Sequence, residues 1–238
     1  MSDGLPELRD ALARAGSAAD AVDAVAGTVI VVRDGPRGPE VLMLERPDRG
    51  SFAGAWVFPG GKVEAGDAGA AEWHAARSAG IRETWEETGL TLDVEAVVTL
   101  SCWEPPAGVP TRIRTWFFVA PAPAQATLTL SADEAVGADW VRPAELLARH
   151  GRGELRLYPP TWVTLHGLTG GADVARLLAG IPDEPGRFAG TFRDDARGRF
   201  ILWAGDAEYG MPGDAAVAAS GSRHRLRIDQ LPWEYERS

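Results

Sequence analysis

The sequence predicts an α/β protein built on a mixed sheet, with a helical segment before it and an α+β extension after it. Three observations predict this. β-branched and apolar runs of strand length recur between residues 28 and 142. One long helix-forming segment, 68–88, interrupts them and stops at Gly89, where a left-handed cap residue belongs. A second helical stretch then closes the region. Strands interleaved with one central helix and a closing helix imply a mixed sheet in an α/β arrangement.

The elements follow in order. Residues 5–26 mix Leu and Ala with charges and predict a helix that frays near Gly16. Two strands come next, at 28–34 and 40–46, parted by the turn GPRGP. Residues 46–67 hold too many glycines for helix or strand. Helix 68–88 leads into strand segments at 90–104 and 111–122, separated by PPAGVP. A short strand near 138–142 runs into a helix begun at Pro143, a residue favoured in the first turn. The main boundary falls near 151–153. Beyond it the tail predicts helices at about 159–168 and 172–179, a strand at 199–205 and a polar Gly/Ala stretch around 210–222. The expected organisation is a helical extension at 1–26, a main domain at 27–150, and a C-terminal extension at 151–238 packed on the same domain.

Composition narrows the function. The chain has 238 residues, 45% hydrophobic and 24% charged, the balance of an ordinary soluble globular protein. Its net charge of −10 and the absence of a basic stripe argue against a broad nucleic-acid surface. Apolar runs reach only strand length, which predicts no bilayer-spanning helix, and the charged N-terminus is not expected to act as a signal peptide. A single cysteine, Cys102, excludes an internal disulfide and a cysteine metal cluster, and a cytoplasmic setting is the simplest expectation.

The chemistry concentrates in the string Arg82-Glu83-Thr84-Trp85-Glu86-Glu87-Thr88-Gly89. On a helix Glu83, Glu86 and Glu87 share roughly 100° of arc, while Ile81, Thr84, Trp85 and Thr88 take the opposite side and are expected to pack on the sheet. Crowded carboxylates repel one another, and a helix C-terminus disfavours anions. A divalent cation would offset both costs, and all-oxygen ligands favour Mg²⁺ or Mn²⁺. Alone, three such glutamates also suit a solvated acidic face.

The wider pattern resembles the Nudix hydrolase superfamily. Its box is a glycine, five residues, an acid, seven residues, then Arg-Glu-apolar-x-Glu-Glu-x-Gly-apolar. Here Gly61 is followed by five residues and Asp67, and RETWEETGL (82–90) matches except for Thr84 at the apolar position. Asp67 replaces the usual glutamate, and fourteen residues instead of seven separate it from Arg82. Either a continuous helix absorbs the seven extra residues, shifting its face by only ~20°, or Gly80 breaks the segment. An insert at this place, after FPGG, resembles a subgroup that includes coenzyme A diphosphatases. A second fingerprint is partial: VLMLER ends at Arg46 and GAWVFPGG follows, but Gly50 stands where an arginine is expected.

The resemblance implies a Nudix-type α/β/α sandwich and a Mg²⁺- or Mn²⁺-dependent hydrolase of a diphosphate linkage in a nucleoside diphosphate derivative, coenzyme A or an acyl-coenzyme A leading. It implies Glu83, Glu86 and Glu87 as metal ligands, with Gly61 beside them, and Arg82 orienting the glutamates. The general base is a box glutamate or an acid from a later loop, for which Glu134 is the candidate. Substrate contacts are expected from Arg46, Gly60, Gly61, Lys62, Arg112 and Arg114. The two last alternate on one strand face and suit either substrate phosphate or a solvated edge. All four histidines read as structural or surface, and Trp56, Trp103 and Trp116 as core before base-stacking groups. The expected partner is a small nucleotide, with no membrane. The tail either covers the pocket or forms a homodimer interface. The competing reading is a binding or sensor module that keeps the fold without turnover.

Overall fold

The computed structural model describes residues 22–49, 52–67, 69–109, 111–131, 134–211 and 221–238. Chain order is β1 (Ala24–Gly35), β2 (Gly38–Glu45), β3 (Trp56–Val57), β4 (Gly60–Lys62), α1 (Glu72–Thr88), β5 (Val98–Glu104), β6 (Ile113–Pro121), β7 (Gly137–Val141), α2 (Pro143–Gly151), α3 (Pro159–Gly167), α4 (Val174–Ala179), β8 (Gly186–Ala189), β9 (Thr191–Asp195), β10 (Gly198–Leu202), β11 (His224–Arg227) and β12 (Glu234–Arg237).

The main sheet has the order β3-β2-β1-β6-β5-β8, with β4 also paired to β1 and β7 to β2. It is mixed: β1 runs parallel to β6, and β8 parallel to β5, among otherwise antiparallel pairs. Alternation along β1 sends Val29 and Val31 beneath α1 with Leu42, Ala76 and Phe118. Ile30 and Val32 point the other way, into a core shared with Val41, Met43, Leu146, Leu157 and Trp162. Helices therefore cover both faces, the α/β/α layering that the resemblance implies.

Segment 151–238 joins this core. β8 extends the main sheet beyond β5, and the Phe188 ring stacks on Trp103 at 3.9 Å between centroids. β9 to β12 form a second, antiparallel sheet whose Trp203 and Leu226 pack into the same apolar cluster as Phe117 and Trp103.

Several expectations change. Most of the helix expected at 5–26 lies outside the described residues, and residues 24–26 belong to β1. The glycine-rich segment 46–67 forms two short strands, β3 and β4. Glycine is required in β4, because a Cβ at Gly60 would sit 2.4 Å from the Gly27 carbonyl oxygen. Residues 94–96 make a 3-10 turn ahead of β5, capped by Asp93, whose Oδ1 accepts from the Glu95 N–H. The tail contains more strands than the single one expected at 199–205, while most of 210–222 lies outside the described residues.

The sharpest correction concerns Trp85, which is 58% exposed and does not pack on the sheet. The buried face of α1 is Ala76, Ala79, Gly80, Thr84, Glu87 and Thr88. Helix and strand backbones touch here: a Cβ at Gly27 would lie 1.7 Å from the Ala76 carbonyl oxygen. Glu87 takes part in this buried face, so Trp85, two residues earlier and roughly 160° round the helix, turns to solvent. Thr84 fits where an apolar residue is expected because its Oγ1 donates to the Gly80 carbonyl (2.7 Å), so no buried hydroxyl is left without a partner.

Candidate active site

The site is assembled on the C-terminal half of α1. The helix runs unbroken through Gly80, so the seven extra residues lengthen its N-terminal end and leave the Arg82–Thr88 geometry whole. Its N-terminus carries Glu72, which suits the helix dipole. Its C-terminus stops at Gly89, at φ 74°, whose N–H donates to the Trp85 carbonyl.

Glu83, Glu87 and Glu134 come together: one carboxylate oxygen from each lies within 4.8 Å of the others. Glu87 is 2% exposed, accepting from the Gly60 N–H at Oε2 (2.9 Å) and from Arg46 Nη1 at Oε1 (3.1 Å). Burial pushes its pKa up to about 7 against the opposing pull of Gly60 and Arg46, with Glu83 and Glu134 adding to the rise. Burial also raises Glu83, and its neighbours Glu86 and Glu134 add to this while Arg82 works against it. Glu134, on the loop before β7, completes the group, and its Oε2 is buried without a hydrogen-bond partner. That loop is tied to the end of β2, the Val136 N–H donating to the Glu45 carbonyl (2.9 Å).

Arg82 stands behind the cluster. It donates to Glu83 Oε1 and Glu86 Oε2, both at 2.9 Å, to the Lys62 carbonyl at 3.2 Å, and by two bonds to Asp67. Asp67 in turn accepts from the Glu64 N–H (2.8 Å). The Arg82 hydrogen bond holds the Asp67 carboxyl below its usual range. Glu86 lies outside the tight trio, on the exposed side of Arg82, with its side chain 40% exposed. Gly61 abuts the cluster: a Cβ there would meet the Glu83 carboxyl carbon at 2.2 Å.

The remaining sequence candidates fall at different distances from this centre. Arg46 is in it, bonded to Glu87, and Lys62 stands exposed next to Gly61. Arg114 is engaged elsewhere, paired with Glu72 (2.8 Å) and Glu104 (2.9 Å), and Arg112 donates to the Pro105 carbonyl. Trp103 and Trp116 are buried, and Trp56 lies under the Arg149 guanidinium. The role of Asp67 as the anchor of Arg82 is what the sequence leaves open, although the spacing from Gly61 already marks the residue.

The donor set fits a hard divalent cation. Three carboxylates converge with no sulfur or nitrogen ligand among them, two have raised pKa values, and one buried oxygen lacks a donor. A mixed sheet between helices, with such a cluster at the end of the covering helix, defines the class of pyrophosphohydrolases that work with a divalent metal. The particular family follows from the sequence: the NUDIX domain model matches residues 24–160, and the chain belongs to the NUDIX family, generally metal-dependent pyrophosphatases. No curated protein matches the chain.

A solved structure shares the fold. A NUDIX hydrolase from Alicyclobacillus acidocaldarius superposes with a TM-score of 0.64 at 22% identity, over 70% of this chain and all of that one. The NUDIX domain of Shewanella oneidensis NrtR, solved with ADP ribose, gives a TM-score of 0.49 at 14% identity, over 66% and 94% of the two chains. Among the described residues no helix is long and apolar enough to cross a membrane.

Proposed function

We propose that the protein hydrolyses the diphosphate linkage of a nucleoside diphosphate derivative with Mg²⁺ or Mn²⁺, and that coenzyme A or an acyl-coenzyme A is the leading substrate. The convergence of Glu83, Glu87 and Glu134 carries the reaction class. The coenzyme A reading draws its support from the partial fingerprint that ends at Arg46 and continues in GAWVFPGG.

Glu83 and Glu87 would hold the cation with Glu86 and the Gly61 backbone beside them. When bound, it neutralises diphosphate oxygens and lowers the pKa of a water. The chain supplies the rest. Arg82 fixes the rotamers of Glu83 and Glu86 and is itself fixed by Asp67. Glu134, with an open oxygen, takes the proton of the attacking water as the new phosphorus–oxygen bond forms and the bridging bond breaks. The leaving phosphate carries away the bridging oxygen. Arg46 and Lys62 offer positive charge to the phosphates, where charge grows in the transition state. Residues 151–238 we read as an extension of the same domain, supported by the β5–β8 pairing.

The test is a product screen by mass spectrometry with Mg²⁺ or Mn²⁺ on coenzyme A, acetyl-coenzyme A, ADP-ribose, NADH and a diadenosine polyphosphate, wild type against Glu86→Gln. Cleavage of coenzyme A to phosphopantetheine and 3′,5′-ADP by wild type alone is expected. Full activity in Glu86→Gln removes Glu86 from the reaction, and full activity in Glu87→Gln as well would remove the carboxylate cluster. A folded, metal-binding protein that cleaves nothing turns the reading toward a sensor module.

A further inference from the structure

Glu87 and Glu134 belong to different elements, yet one carboxylate oxygen of each lies within 4.8 Å of the other. Glu87 is held at three points. Its Oε2 accepts from the Gly60 N–H (2.9 Å), its Oε1 from Arg46 Nη1 (3.1 Å), and its carbonyl from the Ser131 N–H (3.2 Å). Glu134 is held differently. Its Oε2 is buried without a hydrogen-bond partner, so the backbone around it has to set where the carboxylate stands.

That backbone is tied on both sides. The Glu134 and Ala135 N–H groups both donate to the Ser131 carbonyl (3.0 Å each), and Ser131 in turn caps the end of α1 through Glu87. On the other side the Val136 N–H donates to the Glu45 carbonyl (2.9 Å). Glu45 is the last residue of β2, and the next residue is Arg46. The links therefore close into a circuit through Glu87, Ser131, Glu134, Val136, Glu45 and Arg46. Its Arg46–Glu87 link alone runs between side chains. With side-chain exposures of 28% and 2%, that pair is shielded from most solvent screening.

We propose that Arg46 closes this circuit and is thereby a positioning residue, fixing Glu134 relative to Glu87 before any substrate arrives. The proposal rests on the reading of the carboxylate cluster as a metal site and goes beyond the charge that Arg46 offers to phosphates. A free glutamate side chain loses rotamer freedom when it binds a cation, and a carboxylate already placed has less to lose. Charge alone predicts the reverse. A guanidinium beside the cluster repels a cation, so its removal would tighten metal binding.

The test is calorimetric titration with Mn²⁺, without substrate, on wild type, Arg46→Met, Glu134→Gln and the double variant. Arg46→Met is expected to weaken Mn²⁺ binding by about 10- to 100-fold. In the Glu134→Gln background the same substitution should cost less, the non-additivity of residues that act through one another. Val136→Pro deletes the N–H that bonds Glu45, at a residue 63% exposed, and opens the circuit with every charge kept. It should weaken Mn²⁺ binding too, and it carries the test if Arg46→Met does not fold. A wild-type or tighter affinity in Arg46→Met overturns the proposal, as do additive losses in the double variant. A loss in Arg46→Met that Val136→Pro does not share confines Arg46 to Glu87 and overturns it as well. A wild type that binds no Mn²⁺ overturns the metal reading together with it.

Discussion

Arg82 and Asp67, fifteen residues apart, are joined fork to fork, Nε to Oδ1 at 3.1 Å and Nη2 to Oδ2 at 3.0 Å. This bidentate pair is partly buried and fixes the one guanidinium that also touches Glu83 and Glu86. Aspartate is one methylene shorter than glutamate, and the loop 62–67 makes up the difference by folding against Arg82 through the Lys62 carbonyl.

Asp67→Asn is therefore expected to lower metal affinity or kcat/KM by about 10- to 100-fold, because the glutamates lose their fixed neighbour. Isothermal titration with Mn²⁺ alongside steady-state kinetics measures both. Wild-type values in the variant would show that Arg82 holds its place without Asp67.

The glutamates are legible in the sequence because a helix turns at a fixed angle, so their shared face follows from their spacing alone. Other features depend on what the helix meets. Trp85 reads as a sheet-facing residue until Glu87 proves to belong to the buried face, which puts Trp85 on the solvent side. The Asp67–Arg82 pair depends on the path of the segment between them. Glu134 joins the trio only because its loop bonds the end of β2. In the tail, β11 reads His-Arg-Leu-Arg, and its charges hide the strand because Arg225 is buried in an ion pair rather than exposed.

Glu87 makes stability depend on pH. Its pKa stands at about 7 in the folded protein against 4.5 for the free side chain, because burial disfavours the charge. Below about pH 4.5 it is neutral in both states. Between 4.5 and 7 the unfolded chain ionises first, so metal-free stability falls as pH rises, by about 3 kcal/mol in all, and levels off above 7. A cation that binds the ionised carboxylate offsets this loss, so Mg²⁺ should raise Tm more at pH 8 than at pH 6. Thermal melts across that range check it, with Glu87→Gln as the variant that loses the slope. A metal effect equal at both pH values would contradict the assignment.

Adjacent glycines should fail in different ways. At Gly60 a Cβ would strike the Gly27 carbonyl oxygen, which is sheet backbone and cannot move aside, so Gly60→Ala is expected to cost more than about 2 kcal/mol of stability. At Gly61 the Cβ would meet the Glu83 carboxyl, the end of a side chain. Gly61→Ala should then fold nearly as well as wild type while losing activity by on the order of 100-fold through a displaced carboxylate. Urea denaturation and kinetics on both variants separate the two. Equal destabilisation with equal activity would dissolve the distinction.

The tail should carry its own acid sensitivity. Asp206, on the turn after β10, and Arg225, on β11 of the second sheet, are paired by two bonds, 2.6 and 2.7 Å, with side-chain exposures of 0% and 4%. Burial pushes the Asp206 pKa up, but the Arg225 guanidinium and the N–H groups of His224 and Glu208 outweigh it and bring the value to about 2, below the usual 3.8. A depressed carboxylate pKa stabilises the fold above the unfolded value. That contribution, about 2 kcal/mol, is intact above pH 3.8 and is lost as pH falls from there to 2. Removing one partner is harsher than titrating it, since Asp206→Ala leaves a buried guanidinium without its main anion. The expected loss is about 3–5 kcal/mol, read by urea denaturation at pH 7. Because Trp203 and Leu226 of this sheet share a core with Trp103 and Phe117, the loss should appear in the unfolding of the whole domain and not as a separate early transition. Two resolved transitions, with the Mg²⁺ response confined to the later one, would show instead that residues 151–238 unfold on their own.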